Sequence, residues 1–369
     1  MKKHAKHSKL TRRKNGYYAP LEISILGSNC TLISKFVEEL SLQLNNKYKL
    51  AYLDASHNET LQKPNVDLFT FSSQGLLEAK CARSLNNYNE KIKLAQYDLS
   101  FINGNHYKGE EQIVILDAAK EKSIIKRLDQ ITDVLFFIIK DESSFMFDCL
   151  KKKFRNIEQI PVFKLNEIQN ITKNIQNYIQ NNIPVLNGLV LAGGKSIRMG
   201  TDKAKLKYYA KEHSLYLMDL LHSKKIEVYL STNSDKQTNY PIIKDSFTDL
   251  GPLGAICSAF MKFPNNAFLV LATDLPYINS KLLEGLISER DSSKIATAVK
   301  GKTKDLPEPL ITIWEPKAYP VLLSYLSQGY SCPRKVLINS DIKILEVDDD
   351  IITNVNTKEE FEKVKISLK

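Results

Sequence analysis

Short apolar runs rich in Val, Ile, Leu and Phe alternate along the chain with stretches whose apolar residues recur every three or four positions. In the first half, LEISIL (21–26), KLAYL (49–53), DLFTF (67–71), YDLSFI (97–102), QIVIL (112–116) and DVLFFII (133–139) read as strands. Residues 31–45, 74–86, 143–153 and 166–181 read as helices. In the last of these, Ile168, Ile171, Ile175 and Tyr178 share one face, and Pro184 stops the helix soon after. A second series opens with GLVLA (188–192) and continues with strands at 226–231, 241–244, 267–272, 294–299 and 309–313. Helices are expected at 213–222, 254–262, 280–288, 316–327 and 357–367. Such alternation is the mark of mostly parallel sheets covered by helices, so the fold class is α/β, and 369 residues suffice for two such domains. The expected layout is a basic, disordered tail over 1–18, one domain over 19–182 and a second over 187–369.

The net charge of +10 raises the question of a nucleic-acid partner. Seven of the basic residues, Lys2, Lys3, Lys6, Lys9, Arg12, Arg13 and Lys14, lie in a tail without acids, which leaves +3 for everything else. The chain also carries no known nucleic-acid motif, so no nucleic-acid partner is expected. No run approaches the roughly 18 apolar residues of a membrane span, and the tail lacks the apolar region of a secretory signal. Cys30, Cys81, Cys149, Cys257 and Cys332 are odd in number, widely spaced and without a CxxC pair. They read as reduced thiols of a cytoplasmic protein and offer no metal site.

The most informative segment is LVLAGGKSIRMGTDKAKL, residues 189–206, where an apolar strand runs into Gly193 and Gly194, a basic loop, Gly200 and an Asp-Lys pair. Glycines allow backbone N–H groups to approach phosphate oxygens, and Lys195, Arg198 and Lys203 supply cations for a triphosphate. The spacing matches neither a P-loop nor a dinucleotide-binding GxGxxG turn. In LVLATDLPYI (269–278) a second buried-type strand ends in Asp274. A carboxylate there is either a helix cap or, beside a phosphate loop, a Mg²⁺ ligand, since Mg²⁺ takes one or two carboxylates plus phosphates. Asn233 and Asp245 each follow a strand, and GPLG (251–254) can bring backbone close to a ligand and start a helix. Thr357 and Glu360 form a capping-box pattern, which leaves Asn356 as either a turn residue or a ligand.

Taken in order, LAGGKSIRMGTDK (191–203), the strand ending at Asn233, KDSFTDLGPLGAI (244–256), ATDLPYI (272–278), EPLITIW (308–314) and NVNTKEEF (354–361) resemble the molybdenum cofactor guanylyltransferases, over residues 188–366. The resemblance implies a Rossmann-like nucleotidyltransferase fold and transfer of GMP from GTP to molybdopterin or the molybdenum cofactor, with pyrophosphate released and Mg²⁺ required. It implies a GTP site at Leu191, Ala192, Gly193, Gly194, Lys203, Asn233, Asp245 and Asp274. Arg198 and Lys203 would stabilise charge and Asp274 would hold the metal. Arg334, Lys335 and Asn356 fall on the molybdopterin side. Where the family often has an Asn-Gly-Lys-Pro turn, this chain reads Tyr209-Ala210-Lys211-Glu212, and only the lysine matches.

In the first half, ILGSNCTLISKFVEEL (25–40) weakly resembles the opening of the GTP-binding adapter protein that accompanies these enzymes. Its turn, Gly27-Ser28-Asn29-Cys30-Thr31, lacks the P-loop lysine, and Lys35 falls inside the helix. Asn103-Gly104-Asn105-His106 replaces the adapter's Glu-Gly loop. The expectation is a degenerate P-loop-like adapter domain without GTPase activity, serving assembly or delivery to molybdoenzymes or insertion factors. The competing readings are a relative that uses CTP or a sugar phosphate, and a nucleotide-binding pseudo-enzyme.

Overall fold

The computed structural model describes residues 10–56, 68–73, 77–80, 86–193, 206–209, 211–233 and 238–367. The chain divides into two compact units, one over Asn15–Asn182 and one that joins the residues up to Lys14 to those from Ile183 onward.

The first unit contains β1 (Glu22–Leu26), α1 (Cys30–Leu44), β2 (Leu50–Leu53), β3 (Leu68–Phe71), β4 (Leu77–Lys80), α2 (Asn87–Leu94), β5 (Leu99–Asn103), β6 (Glu111–Leu116), α3 (Glu121–Lys126), β7 (Val134–Ile139), α4 (Asp148–Lys153), β8 (Val162–Lys164) and α5 (Ile168–Asn181). Its main sheet has the order β2-β5-β1-β6-β7-β8, with every pairing parallel. One face, carrying Ile23, Ile25, Phe101, Ile113 and Phe136, packs on α1 and α5 through Phe36, Leu40, Ile171 and Ile175. The opposite face, with Leu26, Val114 and Phe137, packs on Ile124, Phe147 and Leu150. Burial on both faces is why β1, β5 and β6 read as nearly continuous apolar runs.

Three local expectations are corrected here. Residues 77–80, expected to be helical, form a strand that pairs antiparallel with β3, so 67–71 does not belong to the parallel series. Leu, Glu, Ala and Lys favour a helix in isolation, but cross-strand pairing overrides that preference. The helix begins later, at α2, where the Asn86 side chain accepts from the N–H groups of Tyr88 and Asn89. The tail is also placed from residue 10 on. Lys14 N–H donates to Asn265 Oδ1 at 2.5 Å, and buried Glu22 accepts from the N–H groups of Tyr17, Tyr18 and Ala19 at 2.8, 2.9 and 3.0 Å. Residues 1–9 lie outside the described residues.

The second unit contains β9 (Leu186–Leu191), α6 (His213–His222), β10 (Glu227–Ser231), β11 (Ile242–Ile243), α7 (Gly251–Lys262), β12 (Ala267–Ala272), α8 (Ser280–Ser288), β13 (Ala296–Gly301), β14 (Glu308–Trp314), α9 (Ala318–Ser327), α10 (Pro333–Ile338), β15 (Lys343–Val347) and α11 (Lys358–Ser367). The sheet order is β11-β10-β9-β12-β14-β13-β15. β14 runs antiparallel to both neighbours, and the remaining pairings are parallel. Helices α6 and α8 cover one face and α7, α9 and α10 the other. The buried Glu315 carboxylate takes two hydrogen bonds from Arg290, at 2.7 and 2.9 Å, and Arg290 also donates to Pro184 O at 2.8 Å. This two-pronged geometry satisfies a charge that would be costly to bury alone. The short helix α10 was not anticipated: Pro333 starts it, so Arg334 stands on a helix rather than in a turn. The half-buried edge strand β15 and the three-residue β8 also lacked a sequence signal. Among the described residues, no helix is long and apolar enough to cross a membrane.

In the β1–α1 turn Gly27 has φ +101°, and a Cβ there would lie 2.1 Å from Ile115 O. Gly27→Ala is therefore expected to destabilise the first unit by at least about 1–2 kcal/mol, the cost of the left-handed conformation alone. Chemical denaturation read by circular dichroism checks this.

Candidate active site at the strand ends of the second unit

The carboxyl ends of β9, β10 and β12 lie side by side on one edge of the sheet, where open α/β folds bind ligands. Leu191 ends β9 and is buried, as is Ala192, whose N–H donates to Ser231 O at 3.0 Å. Gly193 follows, and among the described residues a Cβ there would meet Asp245 Oδ2 alone, at 3.9 Å. The turn therefore brings its backbone beside the Asp245 carboxylate. Ser231 at the end of β10 donates to Asp245 Oδ1 at 2.8 Å, and Asn233 Oδ1 accepts from Asp245 N–H at 3.0 Å. Burial raises the pKa of Asp245, partly offset by the Ser231 hydrogen bond. Thus Leu191, Ala192, Gly193, Asn233 and Asp245 meet in one place. The sequence drew no attention to Ser231, which ties two of them together, because a serine at a strand end carries no pattern of its own.

Asp274 lies just past β12, in the turn before α8. Its backbone carbonyl accepts from Val355 N–H at 2.8 Å, which brings the Asn354–Thr357 segment to the same edge. Asn356 is exposed there. The capping box is formed: Glu360 Oε2 accepts from the N–H groups of Asn356 and Thr357 at 2.7 and 3.1 Å, and Thr357 Oγ1 accepts from Glu360 N–H at 3.2 Å. Arg334, on α10, reaches Glu308 at the start of β14, and its Nη2 donates to Glu308 Oε2 at 2.8 Å. Lys335 stands 4.5 Å from the centre of the Tyr330 ring. Gly194, Arg198 and Lys203 lie outside the described residues. Lys211, the lysine retained from the family's turn, pairs with Asp219, which Tyr240 also contacts through its hydroxyl at 2.7 Å. It is thereby engaged away from the strand-end edge.

An aromatic wall stands beside Asp274, with no precedent in the motifs. Tyr208 is buried against Phe361 and Val364 of α11, and both burial and the Asp274 charge raise its pKa. His213 is fully buried, and its ring stacks on Tyr216 with centroids 5.7 Å apart. Its Nε2 lies 3.1 Å from Leu275 O, a pure acceptor, so Nε2 carries the proton. Burial holds the His213 pKa down at about 4, against the opposing effect of that hydrogen bond. The neutral ring therefore contributes stability that is complete above the ordinary pKa of 6.5 and is lost as pH falls through about 4. Unfolding titrations should show roughly 3 kcal/mol of stability lost across that window, and His213→Met should flatten it.

A model of the MobA-like NTP transferase domain matches residues 188–342. A molybdenum cofactor guanylyltransferase of Campylobacter jejuni is 32% identical over 192 residues, covering 50% of this chain and 97% of its own length. A molybdenum cofactor biosynthesis bifunctional protein of Synechocystis is 34% identical over 182 residues, covering 48% of this chain. The chain spans about half the length of that relative, 52%. Among solved structures, molybdopterin-guanine dinucleotide biosynthesis protein A of Archaeoglobus fulgidus aligns with 22% identity and a TM-score of 0.42, covering 49% of this chain and 97% of its own. Through its C-terminal half the chain belongs to the MobA-like nucleotidyltransferases that include the molybdenum cofactor guanylyltransferases, enzymes of molybdenum cofactor biosynthesis.

Proposed function

We propose that the second unit transfers GMP from GTP to molybdopterin or its molybdenum-bearing form, releasing pyrophosphate and leaving the guanine dinucleotide cofactor. The observation that supports this reading is the meeting of Gly193, Asn233, Asp245 and Asp274 on one strand-end edge, in a family whose relatives are named for this reaction. A phosphate oxygen of molybdopterin forms a bond to the α-phosphorus of GTP as the bond from that phosphorus to the bridging oxygen breaks. The electron pair leaves with pyrophosphate. Little covalent chemistry is asked of the protein, and positioning and charge stabilisation supply the rate.

The roles follow from chemistry and place. At the end of β9, Leu191 and Ala192, whose N–H is given to Ser231 O, line the nucleotide site, and the backbone N–H groups of Gly193 and Gly194 receive phosphate oxygens. Asn233 and Asp245 hold the nucleoside end, which their mutual hydrogen bond orients. Arg198 and Lys203 balance the charge that develops on the phosphates. Asp274 supplies one hard oxygen donor, and no group of three or more His, Cys, Asp or Glu among the described residues holds an ion by itself. That donor set suits Mg²⁺ shared with substrate phosphates, with Asp274 as the protein ligand. When bound, Mg²⁺ would neutralise phosphate charge at the reacting centre. Arg334, Lys335 and Asn356 face the acceptor, molybdopterin.

We read residues 19–182 as a degenerate adapter domain, with molybdoenzymes or insertion factors as its partners. Its β1–α1 turn has no lysine, and Lys35 is an exposed residue of α1. Ser28 donates to Asp117 at 2.8 Å and Lys140 to the same carboxylate at 3.1 Å, so polar groups at these strand ends satisfy one another. Cys30, Cys149, Cys257 and Cys332 are free thiols, in keeping with action in the cytoplasm.

The test is incubation with molybdopterin, Mg²⁺ and each of GTP, CTP and ATP, following pyrophosphate and the pterin dinucleotide by mass. Product is expected with GTP alone, and Asp274→Ala and Lys203→Ala should each lower kcat by about 100-fold or more. Product with CTP instead would move the reading to a cytidylyl relative. Nucleotide binding without product would make the chain a binder only.

A further inference from the structure

We propose that Glu308 is a positioning residue, holding Arg334 as the receptor for the acceptor's phosphate; this rests on the guanylyl-transfer reading above. β14 is reversed relative to its neighbours, so its first residue lies on the edge where β9 and β12 end. The β12–β14 register runs as far as Leu271 facing Ile311, and Asp274 and Glu308 lie beyond that pair, each three residues further along its own segment. Burial raises the Glu308 pKa, Arg334 opposes that rise, and the Asp274 charge adds to it. Along the edge the order is therefore Gly193 after β9, Asp274 after β12, then Glu308 with Arg334 at β14. Adjacent strands are about 4.8 Å apart, so about 10 Å separates the glycine turn from Glu308. A span of that order accommodates a donor phosphate chain and an acceptor phosphate meeting at Asp274.

The Glu308 side chain is 6% exposed and that of Arg334 41%. A buried carboxylate with nothing to do would be costly, yet both Glu308 oxygens are used. Oε1 accepts from Leu310 N–H at 3.1 Å and Oε2 from Arg334 Nη2 at 2.8 Å. A second bond, from Arg334 Nε to Pro307 O at 3.0 Å, fixes the plane of the guanidinium. Held on its inner side, the guanidinium keeps its solvent side for a phosphate, the planar recognition to which arginine is suited. Glu308 thus acts through Arg334, and no contact of its own with substrate is required.

The experiment is molybdopterin-dependent turnover by the full chain, with KM for molybdopterin and for GTP fitted separately for the wild type, Glu308→Ala, Glu308→Gln, Arg334→Ala and the Glu308→Ala/Arg334→Ala double variant. Glu308→Ala is expected to raise KM for molybdopterin about tenfold, while KM for GTP stays within about twofold. Glu308→Gln, which still accepts a hydrogen bond, should raise it less, and the double variant should be no worse than Arg334→Ala alone. An equal rise in both KM values, or additive effects in the double variant, would overturn the positioning role. If circular dichroism shows Glu308→Ala unfolded, Glu308→Gln and Arg334→Ala decide, and an unchanged molybdopterin KM in both overturns the inference alone. A wild type that makes no guanine dinucleotide overturns the parent reading and this inference with it.

Discussion

Burial of the central strands on both faces is the constraint to which the rest of the structure answers. β1, β5 and β6 in the first unit, and β9 and β12 in the second, are buried along nearly their whole length and mostly apolar because helices cover both sides. Charged and ligand-binding groups collect at the ends of such strands, while small polar residues such as Ser24 and Ser100 are buried within them. With the strands running one way, the carboxyl ends collect on a single edge, and Gly193, Ser231, Asn233, Asp245 and Asp274 are there for that reason. The reversed β14 adds its starting residue, Glu308, to the same edge. An antiparallel neighbour thereby contributes a carboxylate and, through it, an arginine.

The same logic gives a different outcome in the first unit. Its strand ends also gather polar residues, but these bond to one another. Asp54 accepts from Asn103 Nδ2 at 2.8 Å and from the Tyr52 hydroxyl at 2.8 Å, while Asp117 accepts from Ser28 and Lys140. Asn105 Nδ2 donates to Ser28 O at 2.8 Å and closes the turn from the other side. Buried polar groups must be satisfied by some partner, and here the partners come from the chain itself.

Buried carboxylates recur as fasteners. Glu22 takes backbone N–H groups from residues 17–19 and also from Glu110, at 3.1 Å, so a single side chain anchors the segment leading into the sheet. Glu315 joins the end of α8 to the approach to β9 through Arg290. Glu308 ties α10 to β14 through Arg334. Each is fully engaged, as the cost of burying a charge demands, and each links segments distant in sequence.

Periodicity alone located most of the strands and helices, and His213–His222 and Ser280–Ser288 match their expected bounds. These elements are legible because an amphipathic helix or a doubly buried strand leaves its own apolar period in the residues. The order of motifs likewise identified the nucleotidyltransferase half, since glycines and acids at strand ends keep a fixed spacing along the chain. Short elements escaped, because a few residues carry too little of a period to be read. β4, β8, β15 and α10 are decided by what they pair with or pack on, and a helical composition at 77–80 yielded to strand pairing. The reversal of β14, the union of Ser231 with Asp245, the burial of His213 and the clasp of Glu308 on Arg334 were decided only in three dimensions. Each joins residues that the chain separates, and a linear pattern records spacing along the backbone but not which strand lies beside which.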